Sequence, residues 1–81
     1  MKKLVAEPFL ASYKQVKHLI KLKERYFDIF EFRNGLKDGT HHTLEETGER
    51  FGGISGNRVR QLEARVIFEI GQAVGMPTPF D

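Results

Sequence analysis

The middle of the chain contains the sequence signals for both ends of one short helix. Thr43 and Glu46 have the spacing of a capping box, in which the Thr43 hydroxyl accepts from the Glu46 N–H and the Glu46 carboxylate accepts from the Thr43 N–H. Gly52 and Gly53 follow after two helical turns and predict the end of the helix. A helix this short must bury its apolar side against a neighbouring helix to be stable.

A second helix is predicted to begin almost at once. Ser55 is a candidate N-cap, and we expect a helix from about Gly56 to Ile70, before the glycines and prolines of a tail at 71–81. Two short helices joined by a tight glycine-containing turn are typical of a helix-turn-helix, here at about residues 43–70. Gly48 is small where the two helices would cross.

The rest of the chain also has the apolar spacing of helices. From Pro8 onward, apolar residues recur at helical intervals until Asn34-Gly35 stops the pattern, and the residues before Asn34 form either one long helix or two. The chain has 81 residues and no cysteine, so it must rely on its hydrophobic core. We predict an all-α fold and a single domain over residues 1–81.

The second predicted helix has two contrasting faces. At about 100° per residue its apolar residues face inward, and a polar face points outward. Arginine, glutamine and asparagine can form bidentate hydrogen bonds with guanine or adenine edges, and further arginines suit phosphates. The alternative is an ordinary solvated helix face. The predicted DNA-binding residues are Ser55, Asn57, Arg58, Arg60, Gln61 and Arg65.

Three strings of residues resemble a known family. They are Phe-Arg-Asn-Gly-Leu at 32–36, Leu-Glu-Glu-Thr-Gly-Glu-Arg-Phe-Gly at 44–52 and Arg-Val-Arg-Gln-Leu-Glu-Ala at 58–64. Together they resemble region 4 of bacterial housekeeping-type (sigma-70 family) RNA polymerase sigma factors. The resemblance implies a four-helix domain of the winged-helix-like DNA-binding superfamily. It also implies that the helix-turn-helix recognises the minus-thirty-five element of double-stranded promoter DNA, and that the upstream helices hold the flap of the polymerase β subunit.

The chain also departs from the family pattern. Gly56-Asn57 replaces an Arg-Glu pair that contacts DNA in the family, Gly53 is an extra turn residue, and Thr47 replaces an apolar residue, so that its hydroxyl needs a partner. Phe68 falls on the same face as Asn57, which implies either cover by the tail (Met76, Pro77, Pro79, Phe80) or a protein contact. Gly56-Asn57, Phe68 and the low basicity of the last helix favour a second hypothesis, a polymerase-binding or other protein-interaction module that has lost most promoter recognition. The predicted polymerase-binding residues are Tyr26, Phe27, Phe30 and Phe32, with core packing as the alternative for each.

Other classes of protein fit the sequence poorly. No apolar run is long enough to span a membrane, and the absence of cysteine suits a reducing cytoplasm. His41-His42 is the only titratable pair worth considering, and we expect two solvated loop histidines, so we predict neither an enzyme nor a metal site or cofactor. Residues 1–25 carry a net charge of +5, which fits either a lysine-rich solvated face or an acidic partner. The Met1-Lys2-Lys3 start favours a free-standing protein, such as one encoded by a phage or mobile element, over an excised domain.

Overall fold

The computed structural model describes residues 7–75, with side chains from residue 10 onward, and this part of the chain contains no β-strand. The prediction of an all-α fold is therefore confirmed. The residues group into two compact units, one formed by residues up to Lys21 with those from Ile67 onward, the other by Leu22–Val66. That the whole chain forms one domain stays a prediction. The helices are α1 (Glu7–Val16), a 3-10 helix (Lys17–Leu19), α2 (Glu24–Arg33), α3 (Leu44–Arg50) and α4 (Gly56–Val74).

The upstream residues form two helices, which settles the question that the apolar spacing leaves open. After the 3-10 helix, Ile20 adopts an extended backbone with φ −92° and ψ 126°, and Lys23 is extended as well. Neither proline nor glycine marks this break, because the extended residues need no unusual φ. The buried apolar residues of the first unit are Leu10, Tyr13, Ile20, Ile67 and Ile70.

The end of α4 differs from the prediction. The helix does not stop at Ile70 but continues to Val74, and Gly71 is buried within it. One interior glycine costs a helix only about 1 kcal/mol relative to alanine, so it does not end a helix by itself. The helix ends instead at Gly75, which has a φ of 71° and whose N–H donates to the Gly71 carbonyl at 2.8 Å. The predicted cover of Phe68 by Met76, Pro77, Pro79 and Phe80 lies outside the described residues, and Phe68 itself is exposed.

The core of the second unit lies where the helical spacing places it. Ile29 of α2 is buried with Val59 and Leu62 of α4, and these three form one hydrophobic cluster. Val66 is buried as well, which confirms the predicted inward face of α4. The partly buried residues that pack against the cluster come from α2, α3 and the turn, and they are Tyr26, Leu44, Phe51 and Ile54.

A buried polar network joins the end of α2 to α4. The Glu63 carboxylate accepts from Arg33 Nε at 3.0 Å and from Asn34 Nδ2 at 2.7 Å, and Glu63 is only 3% exposed. Arg33 Nη1 also donates to the carbonyl of His42 at 2.7 Å, so the same guanidinium fixes the loop that precedes α3. Buried charges are tolerated when they are paired and hydrogen-bonded in this way. The network therefore determines how α2, the loop and α4 fit together within this unit.

The helix-turn-helix forms as the local signals predict. The Thr43 hydroxyl accepts from the Glu46 N–H at 3.0 Å, and Glu46 Oε1 accepts from the Thr43 N–H at 2.9 Å, which completes the capping box. Thr47 is fully buried, and its hydroxyl donates to the Thr43 carbonyl at 2.8 Å, so the partner that this threonine requires is present. A Cβ atom at Gly48 would overlap the carbonyl oxygen of Ile54, which confirms that glycine is needed where α3 meets the turn.

Two glycines in the left-handed region close α3. Gly52 and Gly53 have φ angles of 89° and 78°, and the Gly53 N–H donates to the Gly48 carbonyl at 2.8 Å. This bond spans six residues and is the 6→1 bond of a Schellman motif, with Gly52 at the left-handed position. Gly53 therefore follows the cap as a second left-handed residue and does not prevent α4 from starting at Gly56.

Candidate nucleic-acid interface

The start of α4 is fixed by a side-chain cap. Ser55 Oγ accepts from the backbone N–H of Arg58 at 3.1 Å, and the Ser55 carbonyl accepts from the Val59 N–H at 3.1 Å. These bonds confirm Ser55 as the N-cap. The cap holds the first turn of α4 in a defined position, so that the polar side chains of that turn have a rigid base.

The outward face of α4 is exposed where the sequence predicts it. Asn57, Arg58 and Arg60 are exposed on the first two turns, and Gln61 and Arg65 are exposed further along the helix. Ser55, just before the helix, is exposed as well. The structure thus places all six predicted DNA-binding residues at the surface of one helix and its cap, while their contacts with DNA stay a prediction.

Hydrogen bonds within the helix hold two of these arginines. Arg60 Nη2 donates to Asn57 Oδ1 at 2.8 Å, and Arg58 Nη1 donates to Gln61 Oε1 at 3.4 Å. Each bond joins residues three positions apart, which lie on the same side of a helix. The guanidinium groups are therefore held along the helix surface by amide oxygens.

The four aromatic residues predicted to bind polymerase divide into two pairs. Phe27 and Phe30 are 4% and 0% exposed, so they cannot form a contact surface in this structure, and the prediction is wrong for them. They are core residues, because large aromatic side chains are stabilised most by full burial. Tyr26 and Phe32 remain partly exposed.

Phe32 lies in a cleft of about 440 Å³ at the surface of the second unit. Its ring stacks on His42 with 4.0 Å between centroids and meets Phe51 edge-on at 5.8 Å. The guanidinium carbon of Arg50 lies 5.8 Å from the centroid of Phe32 and 5.9 Å from that of Phe51. The cleft therefore combines an aromatic floor with a cation, and its lining is completed by Asp28, Lys37 and Asp38.

The two adjacent histidines are only partly exposed, which corrects the expectation that both are solvated loop residues. His42 is partly buried against Phe32, and its Nε2 lies 3.1 Å from Asp38 Oδ2. His41 is partly buried too, and its Nδ1 atom has no hydrogen-bond partner among the described residues. The Thr40 backbone N–H and then the His42 side chain hold the pKa of Asp38 below its ordinary value. The pair thus belongs to the packing of the loop before α3.

The buried role of Glu63 is absent from the sequence-based predictions. This residue lies four positions after Val59 and three before Val66, both of which are fully buried. A carboxylate at helical spacing from inward residues was the available signal, because such a group requires a buried partner. Within residues 7–75, no group of three or more potential metal ligands lies together. No helix in the described residues is long and apolar enough to cross a membrane.

Comparison with known proteins identifies RNA polymerase sigma factors among the relatives of this chain. SigA4 of Synechococcus elongatus, an RNA polymerase sigma factor, is 39% identical over a 67-residue alignment that covers 75% of this chain and 21% of the relative. The SigA sigma factors of Bacillus sp and of Lactococcus lactis subsp. cremoris are 44% and 41% identical over 46 residues, each covering 57% of this chain and 12% of the relative. This chain thus spans about a fifth or less of their length.

No family model and no solved structure matches the chain. The relatives are named as RNA polymerase sigma factors and not as enzymes. Their similarity confirms the resemblance drawn from the three sequence strings: the chain is a relative of the sigma factors of the sigma-70 family, and its helical domain is similar to region 4.

Proposed function

We propose that this chain is a transcription module that binds the minus-thirty-five type of promoter element through α4 and docks on the RNA polymerase β flap. The sigma-factor relatives support the role in transcription. The observation that carries the DNA contact is the exposed polar face of α4, which begins at a rigid Ser55 cap and lies opposite a buried apolar side. A helix presented in this way fits the major groove of B-DNA.

The side chains of this face divide into two roles. Arg60 and Gln61 lie centrally and are assigned to base edges. Arginine can form bidentate bonds with guanine, and the Gln61 amide, whose oxygen accepts from Arg58, can donate to a base acceptor. Arg58 and Arg65 are assigned to phosphates, which supply affinity without sequence information. Ser55, just before the first residue of α4, is assigned to the DNA backbone at the edge of the same groove.

Arg60→Ala should weaken binding to the preferred duplex by about tenfold or more and relax its base preference, because one bidentate contact is lost. Arg65→Ala should weaken binding to all duplexes alike. It should also reduce the slope of log affinity against log salt concentration by about 0.9. With two phosphate contacts, wild-type affinity should fall about tenfold between ~50 and ~200 mM salt. Fluorescence anisotropy with labelled duplexes measures all three effects.

Arg50→Ala is the matched control, since it removes an exposed arginine from α3 that lies outside this face. It should leave the base preference unchanged. Wild-type affinity for the same duplexes after Arg60→Ala and Gln61→Ala would show that α4 is not the DNA-binding helix.

For polymerase docking we propose the Phe32 cleft, with Tyr26 as a further contact on the same helix. Aromatic rings beside an arginine are typical of protein contact surfaces. Phe32 is partly exposed, while its stacking on His42 and its edge contact with Phe51 hold the ring in one orientation. Such a held ring loses little conformational entropy when a partner covers it.

Phe32→Leu should weaken binding of the isolated β flap at least tenfold, because the aromatic floor is lost while an apolar side chain remains. Calorimetric titration of the flap into each variant measures this loss. Arg60→Ala is the control and should bind the flap like the wild type. Flap binding that is unaffected by both Phe32→Leu and Arg50→Ala would exclude the cleft.

A second function is favoured by Gly56, which leaves the first position of α4 without a side chain for DNA. In that case the chain binds polymerase but recognises promoter DNA poorly. Strong flap binding together with duplex binding that shows no base preference would identify this second function.

A further inference from the structure

The shorter of the two arginine–amide hydrogen bonds on the outward face of α4 joins Arg60 to Asn57. The bond from Arg60 Nη2 to Asn57 Oδ1 is 2.8 Å long, and both residues are exposed. A guanidinium donor makes this a charge-assisted bond, which is stronger than one between neutral groups. The bond therefore fixes which polar groups each side chain can offer to a ligand.

An asparagine that recognises adenine needs both ends of its amide, since it accepts from adenine N6 and donates to N7. One of the two lone pairs of the Asn57 oxygen accepts from Arg60, which commits this oxygen to the guanidinium and leaves the Nδ2 group as the main part of the amide to act outward. Arg60 keeps its remaining N–H groups, because a guanidinium has five donors and no acceptor. The pair thus presents hydrogen-bond donors.

The surrounding surface reinforces this character. The exposed residues of α4 from Asn57 to Arg65 include no carboxylate, because Glu63 points into the buried network. Arg58 likewise donates to the amide oxygen of Gln61. Cytosine presents a donor, its N4 amino group, in the major groove, and the exposed residues of α4 from Asn57 to Arg65 offer it no carboxylate. The carboxylate of Glu45 in α3 lies beside Gly56, at the first position of the helix.

We propose that Asn57 and Arg60 act as one unit that donates hydrogen bonds to a guanine and a neighbouring keto base. Arg60 donates to guanine O6 and N7, and Asn57 Nδ2 donates to O6 of guanine or O4 of thymine at the next base pair. Residues three apart are separated by about 4.5 Å along a helix, about 1 Å more than the base-pair step of about 3.4 Å, so that their side chains can reach adjacent base pairs. This inference rests on the proposed DNA contact and makes Asn57 a specificity-determining residue.

The test is selection from a pool of duplexes with eight randomised base pairs, using the full chain, followed by sequencing of the retained DNA. The wild type should retain sites with guanine next to guanine or thymine. Asn57→Glu should change the preference at the second position to cytosine, because a carboxylate accepts from cytosine N4. Gln61→Ala is the matched control and should change a different position.

A second measurement addresses the guanine directly. Replacing the selected guanine by 7-deazaguanine removes the N7 acceptor, which should weaken wild-type binding about tenfold and leave Arg60→Ala binding unchanged. The inference is overturned if duplexes are retained but Asn57→Glu selects the wild-type sequence, or if the 7-deaza duplex binds the wild type normally. Retention of no duplex at any salt concentration would instead overturn the proposed DNA contact itself.

Discussion

Glu63→Ala is expected to lower the free energy of unfolding by about 3 to 5 kcal/mol, more than the loss of any exposed side chain. The side chains of Arg33 and Glu63 are only 10% and 4% exposed, so removal of the carboxylate leaves a buried guanidinium without its counter-charge. Asn34 Nδ2 loses its 2.7 Å bond to the same carboxylate. Small domains are stabilised by about 5 to 15 kcal/mol, so part of the population should lose its helical circular dichroism without denaturant.

Two variants separate the loss of the ion pair from other effects. Glu49→Ala removes an exposed glutamate from α3 and should change the stability by no more than about 0.5 kcal/mol. Arg33→Met combined with Glu63→Leu should be more stable than either single substitution, since no charge is left unpaired in the interior. Urea unfolding measures the free energy of unfolding of the wild type and of each variant. A Glu63→Ala variant as stable as Glu49→Ala would contradict the assigned network.

Gly48→Ala should destabilise the protein by about 1 to 3 kcal/mol, although alanine favours a helix more than glycine by about 1 kcal/mol. The added Cβ would overlap the Ile54 carbonyl oxygen and lie 3.2 Å from the Ile54 carbonyl carbon. Both are backbone atoms, so the overlap is relieved only if the turn moves away from α3. The displacement would shift the start of α4, and DNA binding should weaken together with the stability.

Urea unfolding and amide chemical shifts of Ile54 and Ser55 measure the two parts of this effect. Glu49→Ala is again the appropriate control, because it places alanine at the next position of the same helix. A Gly48→Ala variant more stable than the wild type would mean that the turn lies further from α3 than the structure shows.

The sequence predicts the helix-turn-helix well because its signals are local. The capping box at Thr43 and Glu46, the glycine cap and the Ser55 cap each involve residues within five positions of one another. The inward residues of α4 follow from helical spacing in the same way. The predicted end of α4 is wrong because Gly71, a weak helix breaker, lies inside a helix that continues to Val74.

The features that the sequence does not reveal depend on residues far apart in the chain. Arg33 and Glu63 are 30 positions apart, and nothing in their neighbourhoods says that the two charges meet in the interior. The stacking of Phe32 on His42 likewise requires the folded loop. For the same reason the aromatic residues of α2 look alike in the sequence, yet Phe27 and Phe30 are buried whereas Tyr26 and Phe32 are partly exposed.

The adjacent left-handed glycines at 52 and 53 limit how this sequence can evolve. A side chain at either position would meet no steric obstacle, but an L-residue in the left-handed region costs about 1 to 2 kcal/mol. Replacement of both glycines would double that penalty in a domain with little stability to lose. Both positions should therefore stay glycine in functional variants of this chain, although neither glycine has a neighbouring atom that would exclude a side chain.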